Sequence, residues 1–592
     1  MLDKNSLDRQ IMTRRTFIIG AGKLGLLILL AGRMCYMQFI KKDEYRTLSD
    51  NNRIKMILLA PLRGQIFDAS GNVIAKNNSC FRLLLDKNGN PKFSNEIDNL
   101  IKILELDNDQ IEEVKKRVSK GGRRVAATII DYLDWPQVAA IEERKSNFNS
   151  LFIDIGFERF YKYGIATANL IGYLGRPSST ECQSTKLTDE TFKIGKNGIE
   201  KYYEELLRGE HGYKRIEVNA LGKYVRELGK SASTPGKDIH LNIDCQLQEK
   251  ALTYMSPQGC SAIVMDTNTG GVIVCASTPS FDPNEFNKLS NKYWHSLINN
   301  PYKPLIDKTT KSLYAPGSTF KIITALAALD AGVDPENKII CTGSSILGGN
   351  NFRCSKSIGH GALNMIDALK YSCNHYIFTV GRHIGPEKII AMAHKFGLGS
   401  LSGIDLPGEL CGFVPSLEWK KEKYNNNWGI GDTLNLSIGQ GFLLVTPMQL
   451  ARLITAIASD GKLFTPKIAK SDPNYVQLDI PQTHLNIIKE ALYNTINSVG
   501  GTGYLSRLDY KSMQMAGKTG TAQVQAKKNT EDDLSRDNIA WASKNHASFV
   551  GYAPHNNPKY SILVYYNHGG GGGRAAGPIA KKIMQDVLFK NM

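Results

Sequence analysis

The sequence predicts an α+β C-terminal domain, preceded by a mixed polar domain and one N-terminal membrane helix. Three features carry this prediction. Two apolar hairpins stand at opposite ends of the region 239–592, with helical periodicity between them. A long apolar stretch follows an arginine pair near the N-terminus. A Ser/Thr/Pro/Gly passage at 231–237 separates two regions of different pattern.

The first hairpin joins Ser261-Ala262-Ile263-Val264-Met265 to Val272-Ile273-Val274-Cys275-Ala276 through the turn Asp266 to Gly270. The second joins residues 547–552 to 560–566 through a Pro-flanked turn at 554–558. Helical spacing at 320–331 and 446–458 lies between them, so one sheet completed by both ends of the domain is expected. Ile239 to Ile243 alternates as a strand opening this domain. Residues 525–545 are polar and read as a long mobile loop. In the preceding region, 96–118 and 134–145 carry helical spacing, and Asp68-Ala69-Ser70-Gly71-Asn72 reads as a turn.

Arg14 and Arg15 precede an apolar stretch from Thr16 to Ile40. About 25 residues suffice to cross a bilayer as a tilted helix. Lys23 and Arg33 interrupt it and must snorkel or face a partner. A cleaved signal peptide would need small residues after the apolar core, whereas Arg33-Met34-Cys35-Tyr36 follows here. The arginine pair also resembles a twin-arginine export signal, but inside-facing positive charge is the simpler role. The expected organisation is a cytoplasmic tail at 1–15, an anchor at 16–40, a membrane-proximal domain at 41–238 and the α+β domain at 239–592.

The formal net charge is +17. It would suit an anionic partner, or it is a Lys-rich bias spread over the surface. Basic residues are not interleaved with aromatics and no nucleic-acid signature occurs, which excludes nucleic acid as the expected partner.

Three short motifs fall in order. Ser318-Thr319-Phe320-Lys321 follows Tyr314-Ala315-Pro316-Gly317 and opens an apolar helix, so Ser318 is expected in the first helical turn with Lys321 on the same face. A hydroxyl is a weak nucleophile and needs such a base. The helix start adds free backbone N–H groups for a developing oxyanion. Ser372-Cys373-Asn374 follows an amphipathic run at 363–369. Its hydroxyl can relay a proton, and its amide can bind a peptide carbonyl and hold Lys321. Lys518-Thr519-Gly520-Thr521 lies in an alternating stretch from Met513 to Ala522 that reads as a strand. Gly520 permits close approach of a substrate backbone, and Lys518 with the Thr hydroxyls forms a carboxylate pocket. Each motif alone is equally a helix cap, a turn or an edge strand. Their order and contexts make the set specific.

Cys341, Cys354, His360 and Cys373 cluster in the sequence. Three thiolates and one imidazole make a tetrahedral structural zinc set. A disulfide and simple buried thiols are the alternatives. Gly569 to Gly573 lacks the Lys-Ser/Thr of a phosphate cradle and reads as a flexible loop before the last helix.

The ordered motifs resemble those of penicillin-binding proteins and class A β-lactamases. With Arg63-Gly64-Gln65-Ile66-Phe67-Asp68, Gly198-Ile199-Glu200-Lys201-Tyr202-Tyr203, Ile438-Gly439-Gln440-Gly441 and Phe549-Val550-Gly551-Tyr552-Ala553-Pro554, the chain resembles class B penicillin-binding proteins over nearly its whole length, most closely the penicillin-binding protein 2 type. Ala69 departs from the Arg common in that family. The resemblance implies a penicillin-binding/β-lactamase-like transpeptidase domain on a pedestal domain. It implies a peptidoglycan D,D-transpeptidase of cell elongation, in which Ser318 attacks the penultimate D-Ala of a stem pentapeptide. Lys321 would be the general base, Ser372 the relay and Asn374 its companion. Ser318 and Thr521 N–H groups would form the oxyanion hole, and Lys518, Thr519 and Thr521 would take the substrate carboxylate beside Gly520. β-Lactams would acylate Ser318. Catalysis needs no cofactor. Some relatives hold a zinc beside the second motif, with carboxylates where Cys341 and Cys354 stand here. A RodA-type glycosyltransferase and an MreC-like scaffold are the implied partners, and the implied location is the bacterial inner membrane with the catalytic domain in the periplasm. A β-lactamase or β-lactam sensor and an inactive scaffold are the rival readings. The extra domain, the anchor, the short tail and the intact motifs weigh against them.

Overall fold

Side chains alternate across a five-stranded antiparallel sheet and bury both of its faces. Its strands are β1 (Cys260–Asp266), β2 (Val272–Thr278), β3 (Ala516–Ala522), β4 (His546–Ala553) and β5 (Tyr560–Tyr566), in the order β2-β1-β5-β4-β3. The two hairpins join through β1 and β5, so both ends of the domain complete one sheet. A computed structural model describes residues 4–42, 54–85, 93–120, 127–178, 180–181, 193–218, 224–287, 291–347, 350–524 and 541–590.

Along β1, Ala262 and Val264 face helices α1 (Cys245–Tyr254) and α6 (Ala576–Lys590), whereas Ile263 and Met265 face the larger helical layer. That layer holds α2 (Lys321–Asp330), α3 (Asn374–Ile384), α4 (Pro447–Ala458) and α5 (Gln482–Asn497). Helix α2 is apolar all round and buried almost throughout, as a central helix must be. Among the described residues strand β3 pairs only with β4, and its outer side lies beside the turn Gly317–Phe320 that leads into α2.

The membrane-proximal domain is built on a long strand, Val73–Leu85, paired with Leu151–Tyr161. Helices Phe93–Ile103, Asn108–Lys120 and Trp135–Glu143 cover its core of Leu83, Leu100, Val114 and Ile129. The run expected at 96–118 is thus two helices, broken where Asp107 and Gln110 exchange backbone-to-side-chain bonds. At its base Glu200 is fully buried between Arg63 (2.6 Å) and Arg159 (2.7 Å), and Arg63 also meets Glu204 at 2.7 Å. Burial pushes the Glu200 carboxyl up, but Arg159 and Arg63 outweigh it and the net shift is downward.

Some boundaries differ from expectation. Ile239–His240 does not open the catalytic sheet. It pairs in parallel with Ile66–Phe67 of the membrane-proximal domain, because Gln65 and Phe67 carbonyls take its N–H groups. The passage 231–237 is not a free linker either: Thr234 bridges Glu210, and Gly236 donates to the Leu62 carbonyl. Strand β3 starts at Ala516 because Lys511–Met513 forms a 3-10 turn. The loop expected at 525–545 lies outside the described residues up to 540. The apolar helix long enough to span a membrane runs Arg14–Ile40, with a mean hydropathy of 1.7 in its best window. The helix itself begins at Lys4, inside the expected tail.

Removing one member of a buried ion-pair set strands its partners. Glu200→Ala is expected to cost about 3–5 kcal/mol, checked by urea unfolding. The carboxylate must be ionised for these pairs. Its pKa is lowered on folding, so its contribution is full above the ordinary carboxyl pKa and fades as pH falls through the lower folded value.

Candidate active site

Ser318 sits in a 3-10 turn, Gly317–Phe320, that feeds directly into α2. The sequence placed it in the first α-helical turn; the tighter turn forms because Gly317 takes φ +58°, and a Cβ there would stand 2.5 Å from the Thr521 carbonyl oxygen. On the other side Gly317 donates to Gly439, where a Cβ would stand 2.3 Å from the Gly317 oxygen. The nucleophile turn is therefore wedged between β3 and the loop at 438–441 with no room for side chains. Phe320 and Thr319 are buried, and Ser318 is half-buried at the surface of the cleft.

Ser372 comes next. Helix Met365–Lys370 ends in a Schellman arrangement: Ser372 N–H donates to Leu369 (3.1 Å) and Cys373 N–H to Ala368 (2.8 Å). Ser372 occupies the left-handed position at φ +54°, which glycine usually fills. A serine held there stores about 1 kcal/mol of strain or more, as active-site residues often do.

Two buried lysines meet at this serine. Lys321 Nζ donates to the Ser372 carbonyl (2.7 Å), to Asn374 Oδ1 (2.6 Å) and to Ser372 Oγ (3.2 Å). Lys518 Nζ donates to the same Oγ at 2.9 Å and to the Thr519 carbonyl at 3.1 Å. A hydroxyl accepts twice and donates once. With both acceptor positions of Ser372 Oγ taken by lysines, its hydrogen alone is left to be given. Burial lowers the Lys321 pKa to about 8, partly offset by the Cys354 and Cys373 thiolates. Burial, then the Lys321 charge, push Lys518 well below an ordinary lysine. Lys321 uses its three N–H groups on Ser372 and Asn374. Asn374 gives one amide hydrogen to the Arg353 carbonyl at 2.9 Å and keeps the other for a ligand.

The edge strand forms the third wall. Thr519 Oγ1 donates to Thr502 Oγ1 at 2.8 Å, and Thr521 Oγ1 accepts the Gly572 N–H at 3.4 Å. The glycine run is thus not a loose loop. A Cβ on Gly572 would stand 2.3 Å from the Gly520 carbonyl oxygen, and one on Gly573 2.3 Å from the Thr502 oxygen. The run packs against β3 because it carries no side chains. Thr502, Gln440 (donating to the Thr521 carbonyl at 3.4 Å) and Gly572 were not singled out as site residues from the sequence. The signals available were the glycine run, read there as a flexible loop, and the family-like segment Ile438-Gly439-Gln440-Gly441 that contains Gln440.

Beside the second motif, Cys341, Cys354, His360 and Cys373 bring one ligand atom each to within 4.8 Å of the others. Cys341 Sγ and Cys354 Sγ each lie 3.5 Å from His360 Nδ1, and Cys354 Sγ lies 3.7 Å from Cys373 Sγ. A zinc tetrahedron with Zn–S of about 2.3 Å has edges of about 3.8 Å, shorter toward nitrogen, and a disulfide needs about 2.05 Å. The donor set fits a tetrahedral ion. Backbone N–H groups of Asn374 (3.3 Å) and Tyr376 (3.5 Å) point at Cys354 and Cys373, as around metal thiolates. A hydrogen bond from Cys373 holds Cys354 below the ordinary thiol range.

The three motifs thus form the cleft of a serine acyltransferase of the penicillin-binding class. The family model for the penicillin-binding protein transpeptidase domain matches residues 260–585, and that for the penicillin-binding protein dimerisation domain matches residues 58–241. The chain belongs to the penicillin-binding protein family, as a class B member of the penicillin-binding protein 2 type. It is 32% identical to the peptidoglycan D,D-transpeptidase MrdA of Haemophilus influenzae over 99% of this chain and 93% of that protein. Among solved structures it is similar to penicillin-binding protein 2 of Helicobacter pylori in complex with MreC, with a TM-score of 0.81 and 27% identity over 91% of this chain and 99% of that one. It is also similar to a chain of a peptidoglycan synthase complex that coordinates polymerization and crosslinking, with a TM-score of 0.69 and 26% identity over 96% of this chain and 97% of that one.

Gly572→Ala places a methyl against the β3 backbone, which cannot yield without moving Thr521. The variant is expected to react with fluorescent penicillin at least about tenfold more slowly than wild type while keeping most of its thermal stability, measured by gel labelling and differential scanning fluorimetry.

Proposed function

We propose that this peptidoglycan D,D-transpeptidase cross-links stem peptides through an acyl-enzyme on Ser318. The observation that carries the reading is the doubly accepted Ser372 hydroxyl, which can only donate and so is set to protonate a leaving group. Neutral Lys321 takes the Ser318 proton as Oγ attacks the penultimate D-Ala carbonyl. The Ser318 and Thr521 N–H groups receive the oxyanion, the C–N bond breaks, and Ser372 delivers its proton to the departing D-Ala amine while Lys321 passes the proton it took from Ser318 to the Ser372 oxygen across their 3.2 Å contact. An amine of a second stem peptide then attacks the ester and restores Ser318. Lys518, Thr519 and Thr521, beside Gly520, hold the terminal carboxylate, and Asn374 takes a peptide carbonyl.

The Cys341, Cys354, His360 and Cys373 set is proposed to hold a structural zinc, which would supply rigidity and no chemistry. Cys373 is the residue after Ser372, so the set fixes the strained turn from behind. The apolar helix supports a single-pass anchor in the bacterial inner membrane, with the catalytic domain in the periplasm. Similarity to penicillin-binding protein 2 bound to MreC and to a synthase complex supports an MreC-like scaffold and a RodA-type glycosyltransferase as partners.

Intact-mass spectrometry after exposure to a β-lactam tests the nucleophile. A lasting adduct on Ser318, absent from Ser318→Ala, is expected; rapid drug hydrolysis without an adduct would point to a β-lactamase instead. The base must be neutral to act and its pKa is about 8, so the acylation rate should climb with pH toward that value and level off above it. A rate independent of pH across this range would remove Lys321 as the base. Metal analysis should find one zinc per chain, and Cys354→Ser should lose it together with several degrees of melting temperature.

A further inference from the structure

The carboxylate pocket has an unequal pair of hydroxyls. Thr521 accepts from the Gly572 N–H, which leaves its hydrogen free to point at a ligand. Thr519 instead spends its one hydrogen on Thr502, at 2.8 Å. A carboxylate only accepts, so Thr519 as it stands offers the ligand a lone pair and repels it. Something must turn that hydrogen around.

Thr502 is placed to do so. It lies outside the three motifs, on the loop after α5, with its side chain exposed at the cleft. Its backbone is pinned from three directions. Thr502 N–H donates to the Lys370 carbonyl at 3.3 Å, two residues before Ser372; Gly503 N–H donates to Thr495 at 3.1 Å; and Gly573, without a side chain, packs on the Thr502 carbonyl. The loop thus joins the helix of the second motif, the strand of the third and the glycine run.

We propose that Thr502 is a specificity-determining positioning residue for the substrate's terminal carboxylate. This rests on the reading of Lys518, Thr519 and Thr521 as the carboxylate pocket. When a carboxylate enters, the Thr519 hydrogen rotates onto it, and the Thr502 hydroxyl rotates to donate to the Thr519 oxygen. The 2.8 Å separation is short enough for either direction, and a small turn of the Thr502 side chain brings its hydroxyl into line to donate. The chain Thr502 to Thr519 to carboxylate is head-to-tail, and each bond in such a chain strengthens the next. With the pocket empty, the reversed direction keeps Thr519 satisfied.

The test uses the full-length protein in detergent and stopped-flow acylation by a penicillin and by its methyl ester, which lacks the carboxylate charge. Thr502→Val is expected to lower the acid-to-ester ratio of acylation efficiency about tenfold, through weaker initial binding with an unchanged acylation rate constant. Thr502→Ser should restore the ratio. Thr519→Val should lower it at least as far, and the double variant should lose no more than Thr519→Val alone. Should Thr502→Val fail to fold, Thr502→Ala carries the same comparison. The proposal is overturned if acid and ester are affected equally, if the acylation rate constant falls instead, or if Thr502→Ser behaves like Thr502→Val. If Thr519→Val also leaves the ratio unchanged, it is the pocket reading that fails.

Discussion

Two lysines with no solvent exposure share one hydroxyl, and the cleft is arranged around that constraint. Two ammonium charges roughly 5 Å apart repel by about 3 kcal/mol at an effective dielectric near 20. Each also loses its hydration, which lowers both pKa values before either partner is counted. The pair therefore releases a proton more readily than isolated lysines would, and this follows from packing alone. Ser372 Oγ is the one atom both lysines reach, so their proton traffic passes through it.

That atom has to be held still. Ser372 stands in a left-handed conformation that costs energy, and its neighbours determine it from several sides. Its carbonyl accepts from Lys321, its N–H closes the helix end, and Cys373 behind it caps α3 through the Tyr376 N–H. His360 stacks on Tyr371 at 5.9 Å, which ties the Cys/His set to the same helix end. Opposite, three glycines permit close approach: Gly317 meets the Thr521 backbone, Gly520 sits over the Ser548 hydroxyl, and Gly572 meets the Gly520 backbone. Side chains supply the charges of this site, and the absence of side chains supplies its distances.

Much of this was legible in the residues. The hairpins at 261–276 and 547–566 alternate, and the three motifs carry recognisable spacing and order, so the sheet and its catalytic walls could be drawn in advance. The Cys/His set was visible as composition, and its tetrahedral separations needed the fold. Thr502 was illegible for a plain reason: a threonine in a Gly-rich turn has no local signal, and its meaning comes from Thr519, a strand away. Ile239–His240 misled because alternation reports that a strand exists and not which sheet takes it. The glycine run misled because the same composition serves a mobile spacer and a close backbone contact.

The membrane-proximal domain is more than a stalk. Tyr203 reaches across to donate to Asp405 at 2.8 Å, and Asp405, fully buried, also accepts the Ile468 and Ala469 N–H groups at 2.7 and 2.8 Å. Tyr161 exchanges two backbone bonds with the Asn284 side chain, and Gln248 binds the Ala166 and Cys275 carbonyls together. Separating the domains would leave a buried carboxylate short of a donor and expose several unpaired amides, each at about 1–3 kcal/mol. Domains joined by polar contacts usually rock against each other, because water can replace what they lose. Here the central contact ends on a fully buried carboxylate, Asp405. Glu200, two residues before Tyr202 and three before Tyr203, is itself locked between Arg63 and Arg159. The base of the pedestal is therefore joined to the Tyr203–Asp405 contact through the short helix that carries both Glu200 and the ion pairs around it.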